Sequence, residues 1–162
     1  MRPGLGLAPQ LHGGGQQDGR RAGSLAVPLI VGLGEALVLA QADRAMRAAR
    51  LGALRDQLWA GLQRLGGVGL NGCLAPRLAH NLNVTVEGVD GQQLHQLLRR
   101  QLAVSSGSAC SAGSPSHVLA ALGRSRSEAA ASIRFGLGRG STEAEIDLAL
   151  AAVTEAVIAL RR

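Results

Sequence analysis

The chain has 162 residues, with 17 basic and 11 acidic side chains and a formal charge of +6. All 17 basic residues are arginines, no lysine occurs, and the only aromatics are Phe135 and Trp59. Chemistry that needs a lysine amine, whether a Schiff base or a Walker-type phosphate loop, cannot be completed by this chain by itself. Stacking of single-stranded bases lacks its aromatic platforms, and 46% hydrophobic residues exclude a globally disordered chain.

Residues 1–24 are rich in Gly and Pro and show no periodicity. Gly13, Gly14 and Gly15, then Gly19 and Gly23, suit a backbone that turns sharply or approaches a ligand closely, or else a flexible tail. From Leu25 to Leu65 the pattern is helical. Leu29, Leu33, Leu37 and Ala40 form one stripe, and Leu51, Leu54, Leu58, Leu62 and Leu65 form another. With Pro28 in the first turn, this predicts a long helix bent or broken between Asp43 and Arg50 and ended by Gly66 and Gly67.

Val68–Cys73 reads as a short strand. Leu82, Val84 and Val86 alternate with Asn83, Thr85 and Glu87, as in a half-buried strand. Gly91–Leu102 reads as a helix with Leu94, Leu97 and Leu98 inward, and Ala103–Ser106 as a brief strand. A Gly/Ser loop over 105–116 carries Cys110, and Pro115 opens a short helix to Leu122. Ser132–Leu137 is an alternating strand with Ile133, Phe135 and Leu137 on one face and Ser132, Arg134 and Gly136 on the other. The last helix has a capping box, Thr142 with Glu145, and the apolar series Ile146, Leu150, Val153, Val157 and Leu160. The order predicts an α+β fold, with helices packed on a small, mainly antiparallel sheet.

The arginines stand singly or in pairs, and without a patch the charge does not point to nucleic acid. Arginine without lysine fits a GC-rich coding bias. No basic stretch leads into an apolar core, and the run Leu25–Leu39 is interrupted by Pro28 and Glu35. The expectation is therefore a cytoplasmic chain with reduced thiols and no membrane span. Cys110, among Ser, Gly and Ala, suits an accessible nucleophilic thiolate or a small packing residue, whereas Cys73 in its short apolar segment is expected in the core. Arg134 suits either a carboxylate in a cleft or a snorkelling surface position. His95 is expected to face solvent. No CxxC, HExxH or EF-hand spacing occurs, so no metal site is expected. Gly32-Leu33-Gly34 lacks the third glycine of a dinucleotide fingerprint.

Three blocks act together. They are His-Gly-Gly-Gly-Gln-Gln-Asp-Gly-Arg-Arg-Ala-Gly-Ser at 12–24, Ser-Ser-Gly-Ser-Ala-Cys-Ser-Ala-Gly at 105–113 with Pro-Ser-His-Val-Leu at 115–119, and Ser-Ile-Arg-Phe-Gly-Leu-Gly-Arg at 132–139 running into Thr142. With His80-Asn-Leu-Asn83, their order and spacing resemble the C-terminal part of the NifS/IscS-like cysteine desulfurases, pyridoxal phosphate (PLP) enzymes of fold type I in the class V aminotransferase family. The resemblance implies the small domain over 27–162, with a linking helix and a cysteine loop at 103–116. It also implies a strip of the large domain over 1–26.

By position, the resemblance assigns three residues. Cys110 matches the thiol that takes sulfur from L-cysteine as a persulfide, leaving L-alanine. Arg134 matches the arginine that pairs with the substrate carboxylate, and Ser24 matches a threonine that contacts the cofactor phosphate across a dimer interface. The sulfur would pass to an acceptor or scaffold protein for iron–sulfur clusters or other sulfur-containing cofactors. Ser24 replaces the usual threonine, Gln17 stands where glutamate is common, and the loop after Cys110 is shorter than in the long-loop members. The family's Schiff-base lysine lies upstream of the glycine block. The chain is therefore expected to begin after it, to be inactive alone, and to need another polypeptide or a longer gene product to complete the enzyme; a homodimer mate or the missing N-terminal half is its expected protein partner. A selenocysteine lyase, another class V aminotransferase, and a non-enzymatic domain that binds a sulfur acceptor are the alternatives.

Overall fold

A computed structural model describes residues 6, 8–107 and 116–162. Their contacts gather into two compact units, 1–44 and 45–162.

In the first unit, Gln16–Gly19 (α1) makes one hydrogen-bonded turn, closed by the Gly19 amide on the Gly15 carbonyl at 3.1 Å. Gln17 and Asp18 take left-handed dihedrals there, with φ of 54° and 58°, which cost an L-residue about 1–2 kcal/mol each. The glycines were the expected carriers of sharp turns, yet part of that strain falls on these two side chains. Gly19 and Gly23 do carry positive φ, at 73° and 94°. Val27–Ala42 (α2) follows, with Pro28 in its first turn.

Arg44–Gln63 (α3), which belongs to the second unit from Ala45 on, buries Leu51, Leu54, Leu58 and Leu62 on one stripe. Three strands form an antiparallel sheet in the order β1-β2-β3: Val68–Leu70 (β1), Asn81–Val86 (β2) and Ser132–Gly136 (β3). The register pairs Val84 with Ile133, Asn83 with Arg134, and Thr85 with Ser132. Directly opposed residues share a face, so one face is apolar and the other polar. Between β2 and β3 lie Gly91–Leu98 (α4), His117–Ala121 (α5) and Arg126–Ala130 (α6), and Glu143–Leu160 (α7) closes the chain. α4, α5, α6 and α7 each start on a side-chain cap, from Asp90, Ser116, Ser125 and Thr142 respectively. Those of α6 and α7 are full capping boxes, with Glu128 and Glu145.

The core joins the α3 leucines, Leu82, Val84 and Val86 of β2, Leu94 and Leu98 of α4, Ile133 and Phe135 of β3, and Ile146, Val153 and Val157 of α7. Gly61 and Gly91 mark the closest approaches. A Cβ on Gly61 would lie 2.4 Å from Leu150, and one on Gly91 would lie 2.1 Å from the Ala130 carbonyl oxygen.

The structure corrects several expectations. The α2 stripe is not buried: Leu29 is 75% exposed, and Leu33 and Leu37 are exposed too. Ile30, Val31, Val38 and Leu39 make this helix apolar all round, so the stripe selects no face. α4 ends at Leu98, and Leu97, expected inward, is exposed. The strand expected at 103–106 is reduced to a single bridge, Ser105 with Arg134. α6 was not foreseen. Cys73, expected in the core, is exposed, because β1 stops at Leu70 and the chain turns through Gly72 at φ 82°. His95 does not face solvent: its Nε2 lies 3.0 Å from the Ser132 carbonyl oxygen, in a part-buried contact.

Candidate functional site: a polar cleft on the sheet

The polar face of the sheet is not simply solvated. Thr85 and Ser132 are each 2% exposed, and Asn71, just past β1, is 4% exposed. Buried polar groups must be paired, and these are. The Asn71 amide nitrogen donates to Asn83 Oδ1 at 2.7 Å and to Ser132 Oγ at 3.0 Å. Its Oδ1 accepts from Thr85 Oγ1 at 3.0 Å and from Arg124 Nε at 2.6 Å. The Thr85 and Ser132 hydroxyls lie 2.7 Å apart, and Ser132 donates to the Glu128 carbonyl at 2.8 Å.

Arg124 organises the edge of this network. It donates to the Leu70 carbonyl at 2.7 Å and to Glu128 Oε1 at 3.0 Å. The Ser125 amide and hydroxyl, followed by the Arg124 guanidinium, hold the Glu128 carboxyl below its ordinary value. Asn71 is held further by its amide on the Asn83 carbonyl at 2.9 Å and by a hydrogen bond from Arg77 to its own carbonyl.

Beside this network opens a cleft of about 300 Å³, lined by Asn81, Asn83, Ser106, His117, Leu119 and Arg134, among others. Among the described residues no acidic side chain lines it. Arg134 is exposed, and its Nη2 donates to Ser105 Oγ at 3.0 Å. Ser105 in turn donates to the Gly107 carbonyl at 2.8 Å. A guanidinium offers five donors, and the bond to Ser105 uses one of them. The cleft is therefore donor-rich and positive, and it suits a small anion with a planar carboxylate.

Of the three expected site residues, Arg134 stands in this cleft. Cys110 lies outside the described residues. Ser24 is exposed in the first unit, next to Gly23. The sequence reading missed Asn71 and Arg124, and it named Asn83 only within the strand alternation and the His80–Asn83 motif and gave it no role; the signals were that motif and a set of polar residues on the off-face of strands otherwise rich in β-branched residues. PLP needs an amine for its aldehyde and several donors for its phosphate, and a lysine-free chain in which Ser24 alone is matched to that phosphate does not fit the whole cofactor. The residues present fit the carboxylate of an amino acid.

The fold agrees with comparisons to known proteins. Residues 9–149 match the family model described as aminotransferase class-V. The chain belongs to the class-V aminotransferase family. It is 46% identical, over 99% of its length, to a protein of Shewanella baltica named cysteine desulfurase IscS, of which it covers 40%. A solved structure titled NifS-like protein superposes with a TM-score of 0.84 at 33% identity, covering 99% of this chain and 41% of the other. A NifS-like protein from Rickettsia africae gives 0.79 at 26% identity, covering 94% and 40%. This class-V chain thus spans about two fifths of the length of the relatives it matches. No helix among its described residues is long and apolar enough to cross a membrane.

Proposed function

We propose that this chain is the C-terminal part of a cysteine desulfurase, with 27–162 as the small domain and 1–26 as a strip of the large domain. The observation that carries the proposal is the donor-rich cleft around Arg134. Ser106, Gly107, Ser116 and His117 are among the residues that line it. These residues bracket the segment in which Cys110 occurs, three positions after Gly107. The names of the similar proteins support a desulfurase over the other class V chemistries.

In this reading Arg134 binds the carboxylate of L-cysteine and fixes the orientation of the substrate. PLP bound to a lysine outside this chain would supply an electron sink, and Ser24 would hold its phosphate across a dimer interface. The Cys110 thiolate forms an S–S bond to the substrate sulfur as the substrate Cβ–S bond breaks. The electron pair of that bond stays on the carbon side, which takes up a proton and leaves as L-alanine. Cys110 is left as a persulfide, from which an acceptor or scaffold protein of the cytoplasm draws sulfur for cofactor assembly.

The test supplies the lysine-bearing part of the Shewanella baltica relative to this chain, together with PLP and L-cysteine. L-alanine should form only when both polypeptides are present. Arg134→Gln should raise KM by about tenfold or more, the loss of a hydrogen-bonded ion pair. Alanine formation at an unchanged KM in Arg134→Gln would refute the assignment.

A further inference from the structure

Asn71 is the hub of the buried network, and its amide can face only one way. Arg124 is a pure donor, and its Nε lies 2.6 Å from Asn71 Oδ1. The end of Asn71 that meets Arg124 must therefore be the oxygen, and Thr85 Oγ1 donates to the same atom. The nitrogen end then points at Asn83, 2.7 Å from its oxygen. With that oxygen occupied as an acceptor, both amide protons of Asn83 belong to its other end. The Arg124 guanidinium, 53 positions after Asn71, thus fixes the amide of Asn83 through one intervening side chain.

Asn83 is the register partner of Arg134. Directly opposed residues on neighbouring antiparallel strands lie about 4.5–5.5 Å apart and share a face. Both line the same cleft, so a carboxylate seated on the Arg134 fork lies within reach of the Asn83 amide. Resting on the carboxylate reading given above, we propose that Asn83 is a second ligand of the substrate carboxylate. Its amide donates beside Arg134, and Asn71 and Arg124 act as the positioning residues that hold it in that orientation.

The test needs no cofactor. The full chain, labelled with ¹⁵N, is titrated with L-alanine, and separately with L-alanine methyl ester, which has the same skeleton without the carboxylate charge. The wild type should show a saturable shift of the Asn83 side-chain amide with alanine and none with the ester. Asn83→Asp keeps the acceptor that Asn71 needs but replaces the donor with a like charge. It should weaken alanine binding by about tenfold or more while backbone resonances far from the cleft stay in place. Asn83→Ala should weaken binding in the same direction without adding charge. If both Asn83 variants bind alanine as the wild type does while Arg134→Gln loses it, Asn83 is not a ligand and the role of Arg134 stands. If the wild type shows no saturable shift with alanine, the carboxylate reading of the cleft and this inference fall together.

Discussion

Asn71→Ala removes the centre of the polar network, and its cost can be worked out bond by bond. The side chain is 4% exposed and makes four hydrogen bonds. Thr85 and Ser132 keep each other at 2.7 Å, and Ser132 keeps the Glu128 carbonyl, so neither is orphaned. Asn83 lines the open cleft and can turn its oxygen to water. Arg124 Nε is left without its acceptor in a part-buried setting, and a hydrogen bond to a charged group contributes about 1.5–3 kcal/mol. With roughly 0.5–1.5 kcal/mol for a lost neutral bond, the variant should be destabilised by about 3 kcal/mol. Urea unfolding measures this as a fall in midpoint at constant m. Trp59, packed against the core, supplies a fluorescence probe that must coincide with far-UV circular dichroism. Asn71→Ala combined with Arg124→Leu should cost less than the sum of the two single changes, because the second removes the donor that the first strands. A loss below about 1 kcal/mol, or strict additivity in the pair, would refute the network as the support of the cleft floor.

Three further outcomes follow from single contacts. Gly91→Ala places a Cβ against the Ala130 backbone, which cannot swing aside as a side chain can. It should cost about 3 kcal/mol or prevent folding, read by the same urea titration. Arg161 donates from Nε and Nη2 to the Glu87 carbonyl and also to the Leu65 and Gly66 carbonyls, pinning the end of α7 to the turn after α3. Arg161→Ala should lower stability by about 1 kcal/mol, and Arg161→Lys should recover little of it because an ammonium lacks the planar fork. Glu128 has a lowered folded-state value, so its contribution is present above the ordinary carboxylate value and fades as pH falls through the lowered one. The gap in stability between wild type and Glu128→Gln should therefore be wider at neutral pH than in acid, as measured by thermal melts across that range.

Much of the scaffold was legible because it rests on local periodicity. The strict alternation of Leu82, Val84 and Val86, and of Ile133, Phe135 and Leu137, gave β2 and β3 with the right faces. Thr142 and Glu145 gave the start of α7. The misses depend on partners far along the chain. Thr85 and Ser132 could be placed only on the polar face of their strands, yet they are buried under Asn71, 14 and 61 positions away. His95 was assigned outward from its helix alone, whereas its partner is a carbonyl on β3. The leucines of α2 formed a plausible stripe, but a helix with apolar residues on every side has no face to choose. In the site, Arg134 could be singled out by residue type, while Asn83 could not be set beside it without the β2–β3 register.

The central claim is that Cys110 carries sulfur taken from cysteine. The direct measurement is mass spectrometry of the Cys110 peptide after this chain, the lysine-bearing part of the Shewanella baltica relative, PLP and L-cysteine are combined without a reductant. The account predicts a gain of one sulfur atom on that peptide, removed by a thiol and absent from Cys110→Ser. An unmodified Cys110 in a mixture that still releases L-alanine and carries the added sulfur on Cys73 would contradict it.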